Sequence, residues 1–532
     1  MLVRPVAIDV LAGLLVLLPV TVQAQSGPTL SPATMKRVGV VDERYQSYNI
    51  EMLEVTGGKF WKPYKDIPKT ATRAANATPS AGSDAPAGMS PDLYEYRPPL
   101  DLTNHRLRTL AGALSPAYVR ISGTWANTTY FADTETPPKD PPAGYGSVLT
   151  RQQWLSAIAF SNAVNAPIVT SAPIGVGTRG TDGVWTPDEM QKWLQFTKAH
   201  GGTIAAAEYF NEPTLASMGG APKGYDAAAF GRDFQVFDGF MRKNYPEIKL
   251  LGPGSVGEAD APWAVADGGY AKMQYLPAAQ LAAYLGDADA FSYHHYGAVS
   301  QRCAAIGHQT AEDQALSEQW LKRTDETLAY YRQARDKSMP GKPFWVTETG
   351  ETACGGNPWA GAFLDSFRYL DQLGRLARQD VAVVMHNTLD ASDYSLLDES
   401  TFEPKPNYWA ALLWRQLMGT TVLDAGVVNG PGLHVYAQCL RNVPGGVTVL
   451  VLNTDREKSR ILALPLEAQR YSLTARKLTD KAVMLNGISL QLGADDSLPA
   501  LNGEATTRGK LTFAPASITF LAISHAQSPT CR

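Results

Sequence analysis

The amino-acid sequence predicts an α/β fold, namely a (β/α)8 TIM barrel with a C-terminal β-sandwich domain. The first observation is that short apolar runs alternate with amphipathic helical stretches over about 370 residues, as consecutive βα units do. The second is a change past Leu417, where short strands follow one another with Gly, Pro and Asn turns between them. The third is size, because 532 residues with 44% apolar composition suffice for a large core and a second domain.

The first 24 residues have the composition of a secretory signal peptide. Arg4 supplies the positive end, an apolar stretch runs from Val10 to Val20, and Val22-Gln23-Ala24 resembles a small-residue cleavage site. The apolar stretch is shorter than the roughly 20 residues of a membrane span, and no later segment resembles one. We therefore expect cleavage after Ala24 and a secreted or periplasmic mature protein with no membrane association.

Charge and cysteine spacing narrow the range of partners. The net charge of −4 and the pI near 6.1, without a basic stripe, give no electrostatic basis for binding nucleic acid. The spacing of the four cysteines does not resemble a zinc site. We expect no metal and no cofactor.

The barrel is predicted to span residues 46–416. Its strands are expected at short apolar runs that end in polar residues or turns. In chain order these are Tyr45–Met52, Ala117–Ser122, Ala166–Ala172, Thr203–Phe210, Lys249–Gly252, Ala290–Tyr293, Pro343–Thr347 and Val381–His386. Helical spacing of apolar residues predicts helices at Asn104–Ala113, Gln152–Val164, Pro187–His200, Ala227–Asn244, Ala311–Arg335 and Trp359–Gln379. A doubly wound sheet is the competing arrangement, although it would normally contain fewer repeats.

Two regions fall outside this alternation. Residues 66–92 are rich in Ala, Pro, Ser and Gly and nearly lack large apolar groups, which predicts a long mobile surface loop. The β-sandwich domain is predicted at residues 417–532 together with residues 33–45, because the early strand RVGVV can join its sheet.

Export makes disulfides possible, and the domain organisation favours one set of pairs. Cys439 and Cys531 both fall in the predicted β domain, so we expect a bond that ties the C-terminus to it. Cys303 and Cys354 then remain for each other and would link two loops that follow barrel strands.

Two glutamates follow barrel strands. The stretch AEYFNEP ends the fourth strand with Asn211, Glu212 and Pro213, and PFWVTETGE places Glu348 at the seventh. Because the carboxyl ends of the strands meet on one face of a barrel, both carboxylates can reach one site. Two carboxylates across a sugar ring are the minimum for glycoside hydrolysis. Asn-Glu-Pro alone is also a common turn signature, so the hypothesis depends on the seventh strand as well.

Several segments of the chain carry a family resemblance. They are LRTLAGALSPAYVRISGT, FNEP, SYHHYG, FWVTETG, DYSLLDESTFEPKPNYWAALLWRQLMGT and VMLNGISLQLGADDSLPAL. Through them the chain, from about Leu102 to its C-terminus, resembles glycoside hydrolase family 79, the heparanase and β-glucuronidase family of the retaining (β/α)8 clan. The last two segments are long and therefore specific. In heparanases the C-terminal domain is closed by a disulfide that matches the Cys439–Cys531 pair.

The resemblance implies roles for the residues around the two glutamates. Glu212 would be the general acid/base and Glu348 the nucleophile, with Asn211 bonding a sugar hydroxyl beside the acid. Tyr296 would orient the Glu348 carboxylate, and His294 would lie in the same pocket. The acid has to stay protonated near neutral pH, which requires burial or a negative neighbour.

Four other polar residues at or near the barrel strands have expected roles. Glu51, at the end of the first strand, is expected to bind substrate. Arg120 on the second strand is expected to form a buried structural pair with Glu208, which lies four residues before Glu212 and hence on the same strand face. His295 is expected to be hydrogen-bonded scaffolding.

Recognition of a glucuronic acid carboxylate is the next implication. Tyr394, in SDYSLLD, matches the tyrosine that family members place after the eighth strand. Gly355 and Gly356 match their glycine loop, but Cys354 stands near the expected tyrosine, so one carboxylate contact is missing. The Cys303–Cys354 bond would reshape the pocket there.

The segments beside the cleft differ from those of heparan-cleaving members, which carry cations for sulfate groups. Here Trp125 stands in SGTWANTT, where it suits stacking on a sugar face, and Glu258 and Asp260 stand in GPGSVGEADAP. Anions there would repel a sulfated polymer.

The resulting expectation is a constitutively active, retaining exo-β-glucuronidase acting on glycans or glucuronides with little or no sulfate. The alternatives are a heparanase-like endo-β-glucuronidase, a xylosidase or arabinofuranosidase of the same clan, and a non-catalytic glycan-binding protein.

Asn76-Ala-Thr and Asn127-Thr-Thr fit the N-glycosylation pattern.

Overall fold

The structure is a computed structural model that describes residues 27–67, 90–257, 275–304 and 307–532. The strands of this part, β1 to β23, are Arg37–Val40, Gln46–Glu51, Gly58–Trp61, Tyr94–Arg97, Val119–Ser122, Thr129–Ala132, Ser147–Thr150, Ile168–Ser171, Ile204–Glu208, Lys249–Ser255, Ala290–Tyr296, Phe344–Gly350, Val381–His386, Met418–Leu423, His434–Leu440, Val447–Asn453, Arg460–Leu464, Ala468–Thr474, Met484–Leu485, Ile488–Ser489, Glu504–Thr506, Gly509–Phe513 and Ser517–Ile523. The helices α1 to α10 are Met52–Thr56, His105–Ala113, Arg151–Ala163, Asp188–Ala199, Ala227–Asn244, Ala278–Ala282, Glu318–Leu321, Arg323–Ser338, Phe363–Ala377 and Pro406–Leu417.

The predicted (β/α)8 barrel is confirmed. Strands β2, β5, β8, β9, β10, β11, β12 and β13 pair in this order, all parallel, and β13 pairs with β2 to close the barrel. Every predicted barrel strand coincides with one of these. Because the strands run the same way, their carboxyl ends form one rim of the barrel, and the loops that follow them meet there.

The predicted helices are confirmed with one correction. The stretch predicted as a single helix at Ala311–Arg335 contains a short 3-10 turn, Glu312–Gln314, followed by α7 and α8. Ser317 begins α7 because its side chain accepts a hydrogen bond from the Trp320 amide. A serine cap of this kind starts a new helix instead of continuing an earlier one.

The barrel strands divide their side chains between the interior and the surrounding helices. Buried apolar side chains of the strands form a cluster of their own that includes Val169, Ala206, Leu251 and Trp345. Polar and charged side chains such as Glu348 lie toward the carboxyl ends of the strands. The apolar cluster thus fills the barrel below a polar rim, as period-two alternation requires.

The C-terminal region is an antiparallel sheet with a small second layer. Its strands run in the order β1, β14, β15, β16, β23, β18, β19 and β20, with β21 on β18, so the early strand joins this sheet as predicted. One face packs on the barrel through residues such as Tyr436 and Phe520. The other face packs on the two-stranded β17–β22 pair through Leu462 and Phe513. The domain limits 46–416, 33–45 and 417–532 stay predictions.

Both expected cysteine pairs are bonded. Cys439 at the end of β15 joins Cys531 near the C-terminus, and Cys303 joins Cys354 at the barrel rim. The predicted signal peptide and residues 68–89 of the predicted surface loop lie outside the described residues. Among the described helices, none combines the length and the hydropathy needed to cross a membrane.

Candidate active site

The two predicted glutamates meet at the carboxyl end of the barrel. Glu348 belongs to β12, whereas Glu212 lies four residues beyond the last residue of β9, in a turn that Pro213 continues into a 3-10 helix. A carboxylate oxygen of Glu212 and one of Glu348 lie within 4.8 Å of each other. Both side chains line one cavity of about 100 Å³.

Arg120, at the barrel centre, contacts more groups than its expected structural role requires. The predicted pair with Glu208 is present at 2.9 Å. The same guanidinium also reaches the Glu348 carboxylate through Nη1 at 3.0 Å and the side-chain oxygen of Asn211 at 2.7 Å. Glu208 and Glu212 do not share a strand face as expected, because β9 ends at Glu208. Arg120 instead joins Glu208 to Glu348 and to Asn211, the residue that precedes Glu212.

Glu208 supplies the negative charge that balances Arg120. Burial alone would raise the pKa of Glu208, but Arg120 and hydrogen bonds that include the Thr347 hydroxyl, at 2.8 Å, lower it overall. Glu208 is fully buried and does not line the cavity. It therefore stays ionised and orients the arginine.

Glu348 accepts hydrogen bonds from two strong donors. The Tyr296 hydroxyl donates to Oε1 at 2.5 Å, and Arg120 contacts Oε2 at 3.0 Å. Charge-assisted bonds of this kind stabilise the ionised carboxylate and fix its orientation. The prediction that Tyr296 lies beside Glu348 is thus met by the geometry.

The carboxyl group of Glu212 has a raised pKa. Burial, with a smaller contribution from Glu208 and opposed by Arg120, raises the pKa of Glu212 to about 7. His294 contacts it, with Nδ1 2.9 Å from Oε1. Burial lowers the pKa of His294 to about 4, so the imidazole is neutral near pH 7. Because an Arg120 N–H faces its Nε2 at 3.3 Å, the ring proton is on Nδ1 and is donated to Glu212.

Asn387 is a site residue that the sequence did not predict. It directly follows β13, and its side-chain nitrogen lies 3.2 Å from Glu51 Oε1 and 3.0 Å from the hydroxyls of both Tyr296 and Tyr394. It lines the cavity together with these three residues. The signal available in the sequence was its place at the end of the eighth strand, in MHNT, where the same rule that selected Glu348 applies.

Glu51 lines the cavity as an uncharged acid. Burial, together with Glu348 and Glu54, raises the pKa of Glu51 well above its usual range. Its Oε1 accepts from Asn387, while Oε2 has no hydrogen-bond partner among the described residues. This oxygen packs against Gly123, where a Cβ would lie 1.6 Å from it, so only glycine fits beside the Glu51 carboxyl group.

Aromatic residues form much of the cavity wall. Trp61 and Tyr94 stack with ring centroids 4.6 Å apart, and Trp125 meets Phe60 edge to face at 5.1 Å. Trp125 also lines an adjoining cavity of about 650 Å³, whose wall carries Lys59 and Lys139. Flat apolar faces around a polar floor are typical of sugar-binding sites.

Neither of the two glycines predicted to bind substrate in the loop after β12 lines the cavity. Cys354 lines the wall, whereas Gly355 and Gly356 lie behind it. A Cβ at Gly355 would lie 2.8 Å from Trp61 Cγ, so glycine is required there. The amides of Gly355 and Gly356 donate no hydrogen bond to any described residue. They remain available to an anion if the wall opens, and their ligand contact stays a prediction.

Other predicted residues do not line the cavity. Asn211 and His294 lie behind Glu212 and off the cavity wall. Asn211 is fixed through its side-chain oxygen by Arg120, and its side-chain nitrogen donates to no described residue. His295 is buried near Thr324 and bonds Thr349 through its carbonyl, consistent with scaffolding. Glu258 and Asp260 lie outside the described residues.

The same side chains bear on metal binding. Among the described residues, Glu212, His294 and Glu348 form a group whose spacing could hold a metal ion. The Arg120 guanidinium, however, already contacts Glu348 and His294 and places a fixed positive charge beside them. A second cation there would meet electrostatic repulsion, so this donor set suits acid–base chemistry better.

Comparison with known proteins gives consistent matches. Residues 155–374 match the family model described as "Glycosyl hydrolase family 79, N-terminal domain". Heparanase-like protein 1 of Arabidopsis thaliana is 26% identical over 81% of this chain and 86% of its own length. Hyaluronoglucuronidase of Hirudo nipponia is 26% identical over 81% and 92%. Baicalin-beta-D-glucuronidase of Scutellaria baicalensis is 34% identical, over 35% of this chain and 36% of its own length.

The fold has solved counterparts as well. A thermostable family 51 α-L-arabinofuranosidase from Thermotoga petrophila superposes with a TM-score of 0.61 at 13% identity, covering 94% of this chain and 100% of that one. At this identity the likeness concerns the fold alone. It confirms the barrel with an attached β domain.

Proposed function

Since the chain belongs to glycosyl hydrolase family 79, we propose that it is a retaining exo-β-glucuronidase that removes terminal β-linked glucuronic acid. The observation that carries the proposal is the proximity of the two glutamates, since one carboxylate oxygen of Glu212 lies within 4.8 Å of one of Glu348 and both side chains line one cavity. Retaining glycosidases hold their two carboxyl groups about 5 Å apart, whereas inverting ones need about 6.5–9.5 Å to admit a water molecule.

In the first step Glu348 attacks the anomeric carbon while Glu212 gives its proton to the glycosidic oxygen. The carbon–oxygen bond to the leaving group breaks, and the sugar becomes an ester of Glu348. Tyr296 and Arg120 hold the attacking carboxylate in a fixed orientation, one through each of its oxygens. The arrangement needs no movement of these donors during the reaction.

In the second step Glu212 acts as a base. The first step leaves Glu348 as an uncharged ester and Glu212 without its proton. The ionised Glu212 can therefore accept a proton from water. The water oxygen attacks the anomeric carbon from the face that the leaving group left, and Glu348 is released. Two inversions give a product with the original β configuration.

The protonation states support these roles. A pKa near 7 leaves a large fraction of Glu212 protonated at neutral pH, as an acid requires. The neutral His294 does not compete for that proton, because its pKa is lowered to about 4. The Arg120 guanidinium and the Tyr296 hydroxyl orient the Glu348 carboxylate for attack.

The choice of glucuronic acid rests on the far wall of the cavity and on the names of relatives. Tyr394 accepts from Asn387 and keeps its own hydroxyl proton for a ligand. Glu51 is uncharged and does not repel a carboxylate. No lysine or arginine is among the described residues of this wall, so hydroxyl and backbone N–H groups would bind the sugar carboxylate. The relatives include a hyaluronoglucuronidase and a baicalin-β-D-glucuronidase.

Exo action and export complete the proposal. The cavity with the glutamates, at about 100 Å³, favours a single sugar ring, and the remainder of the substrate would occupy the adjoining space. The two disulfides and the predicted signal peptide support a secreted or periplasmic location.

One observation favours a second candidate, the heparanase-like endo-β-glucuronidase. The adjoining cavity, at about 650 Å³, has room for further sugar units, and its wall carries two lysines, Lys59 and Lys139, against one acid, Asp140. An endo enzyme would use this space for chain segments on both sides of the cleaved bond.

The test is a set of 4-nitrophenyl glycosides followed by oligosaccharides. We expect cleavage of the β-glucuronide at least about tenfold faster than of the β-xyloside or α-arabinofuranoside, and release of the β anomer first in an NMR time course. A faster reaction on a pentose glycoside would overturn the glucuronidase proposal. Turnover of a sulfated heparan oligosaccharide as fast as the aryl glucuronide would favour endo action.

A further inference from the structure

Asn127 is a fully buried residue next to the active site, in the 3-10 turn Thr124–Thr128 that follows β5. Its side chain bonds the backbone of Asn211 at two points. The Asn127 side-chain oxygen accepts from the Asn211 amide at 3.2 Å, and its nitrogen donates to the Asn211 carbonyl at 3.1 Å. Its sequon is thus inaccessible to glycosylation in the folded protein.

These two bonds fix the peptide that leads into Glu212. Glu212 has φ 57° and ψ 56°, a left-handed conformation that side chains with a Cβ adopt at an energetic cost. Pro213 restrains the residue on the following side, and the Glu212 carbonyl accepts from the Leu215 amide at 2.9 Å. On the preceding side, Asn127 bonds the Asn211 carbonyl and so fixes the peptide plane between Asn211 and Glu212. The φ angle of Glu212 is the rotation relative to this plane.

Asn127 is itself anchored to a third loop. Its own carbonyl accepts from the amides of Ile174 at 2.7 Å and Gly175 at 2.9 Å, in the loop after β8. A Cβ at Gly219 would lie 2.8 Å from the Asn127 side-chain nitrogen, so the residue has little room to move. The loops after the second, third and fourth barrel strands are thus joined at this residue, through its backbone carbonyl to the third and through its side chain to the fourth.

We propose that Asn127 is a positioning residue that holds the Glu212 carboxyl in place for proton transfer to the leaving group. The inference rests on the proposed acid/base role of Glu212. Asn127 contacts neither the cavity nor Glu348, so its loss should weaken only the steps that need the acid/base. A displacement of about 1 Å can cost about a hundredfold in rate.

The experiment compares Asn127→Ala with the wild type on two aryl β-glucuronides. With phenol as the leaving group, which needs a proton, we expect kcat/KM to fall about tenfold to a hundredfold. With 2,4-dinitrophenol, which leaves without one, we expect a fall of about threefold or less. Azide should raise kcat of the variant on the dinitrophenyl substrate and yield the β-glucuronyl azide, because an anionic nucleophile needs no base. It should not do so for the wild type.

The matched control is Asn453→Ala. Asn453 is also fully buried and donates to three backbone carbonyls, those of Lys458, Phe513 and Ala514, but it lies in the β domain. We expect a loss of thermal stability without leaving-group dependence or azide rescue. Equal losses on both substrates for Asn127→Ala would overturn the proposal.

Two further variants keep the test decisive. If Asn127→Ala does not fold, Asn127→Asp preserves the shape and the acceptor for the Asn211 amide, and we expect the same leaving-group dependence at smaller size. A uniform loss would again contradict the proposal. Glu212→Ala separates the two claims: if it shows no leaving-group dependence, the acid role itself fails, whereas dependence in Glu212→Ala alone refutes only the role of Asn127.

Discussion

Two buried clusters in this protein contain the same kinds of side chain and do different things. The catalytic cluster consists of Arg120, Glu212, His294, Tyr296 and Glu348. The interface cluster consists of Glu318, Asp371, Arg375, His434 and Tyr436, on α7, α9 and β15, where the barrel packs on the β domain. Each has one arginine, one histidine, one tyrosine and two carboxylates.

The side chains of the interface cluster bond one another. His434 bonds Asp371 through Nδ1 at 2.6 Å and Glu318 through Nε2 at 2.7 Å. Arg375 bonds the remaining oxygen of Asp371 at 2.6 Å and of Glu318 at 2.9 Å, and Tyr436 donates to Asp371 at 2.5 Å. Every carboxylate oxygen of the two acids therefore has a partner.

The pKa values of the two histidines differ for this reason. Burial lowers the pKa of both, but at His434 the bonds to Asp371 and Glu318 outweigh burial and raise it to about 9. At His294 burial prevails and the pKa is about 4. The catalytic cluster leaves Glu212 facing a cavity with its pKa raised, so a proton can leave for a ligand. The interface cluster therefore stabilises the fold, whereas the catalytic cluster can transfer a proton.

The largest expected effect is that of Glu348→Gln. The amide cannot form the glycosyl ester, so kcat on 4-nitrophenyl β-glucuronide should fall about a thousandfold or more, with the thermal transition by circular dichroism nearly unchanged. In the wild type, a mechanism-based glucuronide inhibitor should label Glu348, as peptide mass spectrometry would show. A label on another residue would remove Glu348 from the nucleophile role.

The next effect concerns stability and the interface cluster. His434→Gln removes the cation between the buried Asp371 and the partly exposed Glu318, so the free energy of unfolding should fall by about 3 kcal/mol while kcat/KM stays the same. His525→Gln, at an exposed histidine of the same domain, is the control and should change neither quantity. A loss of activity in proportion to stability would contradict the separation of the two clusters.

The same variant has a defined pH dependence. Because the pKa of His434 is raised in the folded protein, its contribution is complete below the unfolded value of about 6.5. It is lost as pH rises through about 9. Denaturant unfolding should therefore show a difference between wild type and His434→Gln that is largest at pH 6 and small above pH 9.

The third effect depends on the leaving group. Glu212→Ala should lower kcat/KM about a hundredfold on phenyl β-glucuronide but much less on the 2,4-dinitrophenyl analogue. In the wild type, kcat/KM on the phenyl substrate should decline as pH rises through about 7, because the ionised Glu212 has no proton to give. Equal losses on both substrates, or no decline near this pH, would exclude Glu212 as the acid.

The smallest effect compares the two tyrosines. Tyr296→Phe removes one charge-assisted bond to Glu348, so kcat should fall about tenfold with little change in stability. Tyr436→Phe removes the corresponding bond to Asp371 and should lower the free energy of unfolding by about 1–2 kcal/mol without affecting kcat. The opposite pattern would show that the clusters are not functionally distinct.

The sequence alone was sufficient for the barrel, the attached β domain and the two glutamates. Apolar runs that end in polar residues identify barrel strands, and Glu212 and Glu348 stand at the ends of two of them. This works because side-chain period and strand direction are local properties of the chain. The prediction of one helix at Ala311–Arg335 was wrong because a single serine cap divides an otherwise continuous helical pattern of apolar residues.

Tertiary structure decided the contacts between distant segments. Asn387 reads as an ordinary strand end, Asn127 as a glycosylation sequon, and His434 as an isolated histidine in a strand. Each acquires its role only through partners far away in sequence, at Tyr296, Asn211 and Asp371 respectively. Hydrogen bonding and pKa depend on three-dimensional proximity and burial, which no local pattern of residues contains.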